Sequence, residues 1–200
     1  MRHISIDQSS IVHILYLYHY PSMMFTSILF ALAAALPVLS SDSLFVSQAV
    51  SVMTGPGQVK GTVIFQQSSV DGPVHITGSI QGLDPSSLRG FHVHTSGNLT
   101  GGCDSTGEHW NPFNTTHGGL QDPKDKRHVG DLGNVKTDAN GVATLDITDD
   151  IMSLNGPLSI VGRAIVVHAG TDDLGKGGTP LSLINGNSGD RISCGVIGLS

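Results

Sequence analysis

Histidine is the residue type that stands out in this chain of 200 residues, which contains ten of them. Six of the ten lie between positions 92 and 168. His92 and His94 are two positions apart in an apolar run, and residues i and i+2 of a strand point to the same face. Two imidazoles side by side on one face rarely serve packing alone. The pair therefore predicts a metal site.

Further ligand types follow this pair along the chain. His109, His117, His128 and Asp131 lie in the next long segment, and His168 ends a later apolar run. Six imidazoles and a carboxylate are too many for one tetrahedral site, but they are enough for two sites that share a ligand. Imidazole suits copper and zinc, and an added carboxylate suits zinc better than Cu(I). A lone histidine is usually a surface or hydrogen-bonded core residue, so the isolated His75 receives no role.

The sequence around these residues predicts short strands, and these strands must position the histidines. Runs rich in Val, Ile and Thr are separated by Gly, Asp, Asn or Pro, and Asn140-Gly141 is a hairpin signal. Eight such strands without a helical period predict an all-β fold, an antiparallel sandwich or flattened barrel. The predicted strands are Ala49–Met53, Gln58–Gln66, Val74–Gln81, Gly90–His94, Gly130–Asp138, Gly141–Ile147, Ile160–His168 and Arg191–Ile197.

Two segments do not fit strands, and both adjoin the histidines. They are Thr95–Val129 and Ala169–Asp190, and loops of that length inside a compact domain are usually functional. Cys103 and Cys194 are the only two cysteines, so metal sites of the C-x-x-C type are excluded and one long-range disulfide could form.

Composition excludes several classes of protein. Charged residues make up only 13% of the chain and glycine accounts for 26 residues, which argues against helical bundles. The net charge of −6, without an extended basic cluster, argues against nucleic-acid binding. The stretch Gly170–Lys176 superficially matches a phosphate-binding loop, but Gly177 stands where Ser or Thr is needed and Asp172 would repel phosphate.

The first forty residues have a different character. Residues 23–39 form an uncharged apolar run, and Val38 and Ser40 suit a signal-peptidase site. We expect residues 1–40 to be a cleaved secretory signal, with translation starting at Met1, Met23 or Met24, and residues 41–200 to be one extracellular domain. The alternative is an uncleaved anchor, for which the run is short. Asn98 and Asn114 begin glycosylation sequons that secretion would make available.

Long ordered motifs from Val50 to Ser200 resemble the Cu,Zn superoxide dismutases, whose fold is a Greek-key β-barrel. The runs that carry this resemblance are GFHVH (Gly90–His94), HWNPFNTTHGG (His109–Gly119), RHVGDLGNV (Arg127–Val135), GRAIVVHAGTDDLGKGG (Gly162–Gly178) and GNSGDRISCGVIG (Gly186–Gly198).

The resemblance implies a role for each site residue. One copper ion per chain would be held by His92, His94, His109 and His168, and one zinc ion by His109, His117, His128 and Asp131. His109 would bridge the two metals and take up a proton during catalysis. Asp172 would hydrogen-bond a copper histidine, His92, and a zinc histidine, His117. Cys103 and Cys194 would form the intrasubunit disulfide, and Arg191 would bind the anionic substrate, superoxide.

The resemblance also implies a homodimer. One alternative function remains for a protein of this fold. A copper-delivery or metal-buffering module on the same fold would bind the metals without turnover, but the retained ligands and Arg191 favour the enzyme. A purely structural sandwich domain would not explain the two histidine-bearing segments. Two departures bear on the rate: Pro180–Asn185 is uncharged, with Asn185 where Thr is common, and Asp190 places a carboxylate beside Arg191.

Overall fold

The described part of the protein, residues 44–55 and 58–200 of a computed structural model, consists of antiparallel strands with almost no helix. The predicted signal segment, residues 1–40, lies outside the described residues. The strands are β1 (Gln48–Thr54), β2 (Lys60–Gln67), β3 (Val74–Gln81), β4 (Leu88–His94), β5 (Thr100–Cys103), β6 (Asp131–Lys136), β7 (Ala143–Asp149), β8 (Ala164–His168), β9 (Arg191–Val196) and β10 (Gly198–Leu199). One short helix, α1 (Ser182–Asn185), lies between β8 and β9.

All of these strands except β5 form one curved sheet with the order β6-β4-β8-β9-β1-β2-β3-β7, and β10 pairs with β1. The chain crosses between β3 and β4 and again between β7 and β8, so sequence neighbours are not sheet neighbours at those points. These crossovers and the antiparallel pairing give a nearly closed Greek-key barrel of eight principal strands. The predicted fold class is confirmed.

Alternation of apolar and polar residues explains why these segments are strands. On β3, Val74, Ile76 and Ile80 point into the barrel and are fully buried, whereas His75 and Gln81 face solvent. Successive side chains of a strand point to opposite faces, so this pattern places one face of β3 in the core. β1 shows the same alternation.

The predicted hairpin at Asn140-Gly141 is only half correct. The turn forms, with Gly141 at φ +75° and a hydrogen bond of 2.9 Å from Asp138 N to Val142 O. The strands on either side then diverge, because β6 pairs with β4 and β7 pairs with β3. A single bridge, Thr137 to Ala143, joins them where the barrel closes.

Two tertiary links fix the long segment between β5 and β6. Cys103 and Cys194 form a disulfide with Cα atoms 5.7 Å apart, which ties the start of this segment to β9. Near its other end, the guanidinium of Arg127 is buried and lies 2.5 Å from a carboxylate oxygen of Asp149, also buried. Arg127 Nη1 also donates to the carbonyl of Asp131 at 3.0 Å. The segment is thereby attached to the barrel at both ends.

No helix within residues 44–55 and 58–200 is long and apolar enough to cross a membrane.

Candidate metal centre

The barrel brings the six predicted histidines and Asp131 together in one buried cluster. His92 and His94 lie on β4, and His168 ends β8, the neighbouring strand. His109 pairs with His94 through an isolated β-bridge. Every one of the seven side chains belongs to a residue at most 4% exposed.

One half of the cluster has four imidazoles whose ring nitrogens face one another. His94 Nδ1 donates to Gly107 O at 2.7 Å and His168 Nδ1 donates to Gly189 O at 3.0 Å, because a carbonyl can only accept. Their Nε2 atoms are 3.2 Å apart, and in the neutral rings both carry lone pairs. His92 Nδ1 and His109 Nε2 are buried and have no hydrogen-bond partner among the described residues.

The other half is organised around a single carboxylate oxygen. Asp131 Oδ1 lies 2.8 Å from His109 Nδ1, 3.0 Å from His117 Nδ1 and 3.2 Å from His128 Nδ1. Asp131 Oδ2 accepts hydrogen bonds from the backbone N–H groups of His128 and Gly118, at 2.8 and 3.1 Å. The backbone thus holds the carboxylate so that Oδ1 faces three imidazoles at once.

Asp172 connects the two halves from outside. Its Oδ2 lies 2.8 Å from His92 Nε2 and its Oδ1 lies 2.8 Å from His117 Nε2. Each of these contacts occupies one ring nitrogen and leaves Nδ1 directed into the cluster. Gly186, at φ +66°, packs against this carboxylate, and any Cβ there would collide with Asp172 Oδ1.

Burial and hydrogen bonding shift the pKa values in opposite directions in the two halves. Burial lowers the pKa of His168 to about 4, and the positive charge of Arg191 contributes to that shift. Burial likewise holds the pKa of His92 and of His94 well below the ordinary value. Burial also opposes the charging of His117, but its contacts with Asp131 and Asp172 outweigh it and raise the pKa to about 9.

The two carboxylates remain ionised despite burial. Burial alone would raise the pKa of Asp131, but hydrogen bonds with three histidines hold it well below the ordinary value. The pKa of Asp172 is lowered in the same way by His117 and His92. The cluster therefore has two buried negative charges, next to the charged form of His117 and to three imidazoles, His92, His94 and His168, that favour the neutral form.

These residues fit cations. Two sets of four side chains, His92-His94-His109-His168 and His92-His109-His117-Asp131, each bring their ligand atoms within 4.8 Å of one another. Facing lone pairs and buried nitrogens without partners are costly unless something electrophilic lies between them. An all-imidazole set suits copper, and a set with a carboxylate suits zinc. His128 is not in the second set, although its Nδ1 lies close to Asp131.

Arg191 starts β9 and is paired in register with His168 on β8. Its Nη1 donates to Cys103 O at 3.1 Å, Asp104 O at 3.2 Å and Thr106 Oγ1 at 3.1 Å. These contacts direct the guanidinium along the segment that the disulfide fixes. The Asp190 side chain is exposed and forms no ion pair with Arg191 within 4.0 Å.

Within the segment between β8 and β9, the uncharged stretch Pro180–Asn185 forms a rim beside the cluster. Leu181, Leu183 and Ile184 are 52%, 50% and 53% exposed, and the last two line a shallow pocket together with His109 and His128. α1, within this rim, was not expected from the sequence. It has four residues and lacks a side-chain cap, and Gly186 ends it in the left-handed conformation.

Two contacts around the cluster could not be predicted from the sequence. The buried Arg127–Asp149 pair and the stacking of Arg163 on Trp110 both involve partners distant in sequence. The only sequence feature that pointed to Arg127 was its position directly before a predicted ligand, His128.

Comparison with known proteins agrees with this geometry. The family model described as copper/zinc superoxide dismutase matches residues 59–197. The superoxide dismutases (Cu-Zn) of Neurospora crassa and Candida glabrata are each 56% identical to this chain over 153 residues, which is 76% of this chain and 98% of each relative. The superoxide dismutase (Cu-Zn) of Saccharomyces cerevisiae is 52% identical over the same share of both chains.

Proposed function

This chain belongs to the copper/zinc superoxide dismutase family, and on that premise we propose which residues hold each metal. Copper is bound by His92, His94, His109 and His168. Zinc would be held by His109, His117, His128 and Asp131, so that His109 is a ligand in both sets. The observation that carries this proposal is the direction of the ring nitrogens. Outer partners occupy one nitrogen of His92, His94, His117 and His168, and the other nitrogen of each ring faces the cluster.

The activity is the dismutation of superoxide to dioxygen and hydrogen peroxide. Copper would supply one-electron redox chemistry at this site, whereas zinc, which has no redox chemistry, would hold its ligands in place. The protein supplies binding, orientation and protons. Arg191, whose charge already lowers the pKa of His168, attracts the superoxide anion to the histidine half of the cluster.

His109 provides one of the two protons that hydrogen peroxide requires, and solvent supplies the other. Its Nδ1 faces Asp131, while its buried Nε2 faces the histidine half. Nε2 can therefore take up a proton and pass it to the reduced substrate without a movement of the backbone. Asp172 keeps the rings of His92 and His117 in fixed orientations through both of its oxygens, as outer carboxylates do in metal sites.

Two single substitutions test the shared ligand. His109→Ala removes a ligand from both sets, so we expect loss of dismutation together with weakened zinc binding. His168→Ala removes a copper ligand only and should leave zinc in place. Metal content per chain and superoxide consumption of each purified variant are the measurements. Full zinc retention in His109→Ala would contradict the bridge, and normal metal content without turnover in the parent would favour the metal-carrier function.

We propose that two chains form a homodimer. The exposed apolar residues Val52, Val196 and Leu199 lie on β1, β9 and β10, which are neighbours in the sheet. A second copy of the chain would cover this face. Light scattering after gel filtration should give twice the mass of one chain, and Val52→Asp should shift it towards a single chain.

We also propose that the mature protein is extracellular and begins near Ser41. Support comes from the uncharged run at residues 23–39 and from a family match that starts only at residue 59. Asn98 and Asn114 are exposed, so both sequons would be available for glycans. N-terminal sequencing and glycosidase treatment of protein from the culture medium test this. A secreted protein that starts at Met1 or Met23 would contradict it.

A further inference from the structure

Arg163 precedes β8 by one residue, and its side chain contacts residues that directly follow two of the proposed ligands. Its backbone is fixed to the barrel, since Arg163 N donates to Ile160 O at 3.1 Å and Arg163 O accepts from Ile197 N at 2.8 Å. Its Nε donates to Ser159 O at 3.0 Å. The backbone and Nε of Arg163 are thus fixed by three hydrogen bonds.

Two contacts of the guanidinium lie beside the cluster. Its Cζ is 3.2 Å from the centroid of the Trp110 ring, a stacked cation–π contact. Its Nη1 donates to Thr95 O at 2.7 Å. Trp110 directly follows His109, and Thr95 directly follows His94. One side chain therefore touches the residue after each of two proposed copper ligands.

The two backbone segments that Arg163 contacts also pair with each other. Trp110 N donates to Val93 O at 2.8 Å, and Thr95 N donates to Glu108 O at 2.8 Å. Gly130 N in turn donates to Trp110 O at 2.9 Å, which connects this segment to the turn between His128 and Asp131. A shift of Trp110 would therefore move His109 relative to both halves of the cluster.

We propose that Arg163 is a positioning residue of the metal centre, because its guanidinium holds Trp110 against the end of β4 and so fixes His109 relative to His94. The inference rests on the proposed ligand assignment. A lysine at this position would keep the charge, but it has no planar face for stacking and no rigid fork of donors. The proposal thus depends on the shape of the guanidinium as well as on its charge.

Zinc affinity of the metal-free full-length protein is the primary test, measured by competition with a chromophoric chelator. We expect Arg163→Met to weaken zinc binding about 10-fold, the lower end of the range for residues that orient ligands. Arg163→Lys should weaken it in the same direction, and it carries the test if the methionine variant does not fold. Ile76→Val is the matched control, because it loosens the core on β3, a strand without proposed ligands.

Fluorescence supplies a second readout, because Trp110 is the only tryptophan in the chain. Removing the guanidinium uncovers one face of its ring, so acrylamide should quench the emission of both Arg163 variants more strongly than that of Ile76→Val. Zinc affinities of both Arg163 variants within about 2-fold of the control would overturn the positioning role. Absence of zinc binding in the parent would instead overturn the ligand assignment, so the two failures are distinguishable.

Discussion

Removal of the Cys103–Cys194 disulfide should destabilise the metal-free protein by several kcal/mol. The bond closes a loop with a sequence separation of 91 residues. In the chain-entropy model, a loop of that length restricts the unfolded chain by about 4.6 kcal/mol at 25 °C. Measured losses for native disulfides are about 2–5 kcal/mol, so we expect a value in the upper part of that range.

Cys103→Ser is the preferred variant, because Cys103 is half-buried whereas Cys194 is 4% exposed. A serine at position 103 therefore adds little cost from a buried hydroxyl. Urea denaturation of metal-free samples gives the free energy of unfolding without the contribution of bound metal. The chemically reduced parent is the control and should match the variant. A loss below about 1 kcal/mol would show that the entropic argument fails for this loop.

Three further predictions concern charged residues. Arg191→Ala should lower the second-order rate constant with superoxide about 10-fold at low salt. Asp190→Gly should raise this rate constant by a smaller factor. That increase should disappear at physiological ionic strength, where charges beyond about 8 Å are screened. Pulse radiolysis over a salt series measures both, and a steep salt dependence that Asp190→Gly leaves unchanged would locate the steering field elsewhere. Asp149→Asn should cost about 3 kcal/mol in a urea titration, because it leaves the buried guanidinium of Arg127 without its counter-charge. The exposed Asp150, 3.8 Å from the same guanidinium, supplies the control Asp150→Asn, which should change stability by less than about 1 kcal/mol.

The local alternation of apolar and polar residues was enough to predict the strands that have one buried face. The bounds of β3 match the prediction because its buried and exposed residues alternate and glycine precedes it closely. β5, β10 and α1 were missed because each has at most four residues, too few for a period to appear. Their conformation depends on partners such as β1, which pairs with Gly198 and Leu199.

Contacts between residues distant in sequence could be predicted only where the residue types suggested a shared chemical role, such as metal binding. The histidines were grouped in advance because imidazoles at such positions have few other uses. Arg163 and Trp110 are 53 positions apart and neither type is unusual in a core or on a surface, so no sequence signal linked them. The divergence of β6 and β7 after a well-formed turn has the same origin, because turn chemistry specifies the reversal and not the strand partners.

The two oxygens of Asp172 also make the metal sites depend on each other thermodynamically. One oxygen holds a ring of the copper set and the other holds a ring of the zinc set. An ion that orders either ring also orders the carboxylate, so the second ion meets a ligand that is already oriented. Coupling of this kind is reciprocal: whatever factor zinc adds to the affinity for copper, copper must add to the affinity for zinc. Metal loading of this protein is therefore expected to be cooperative in both orders of addition.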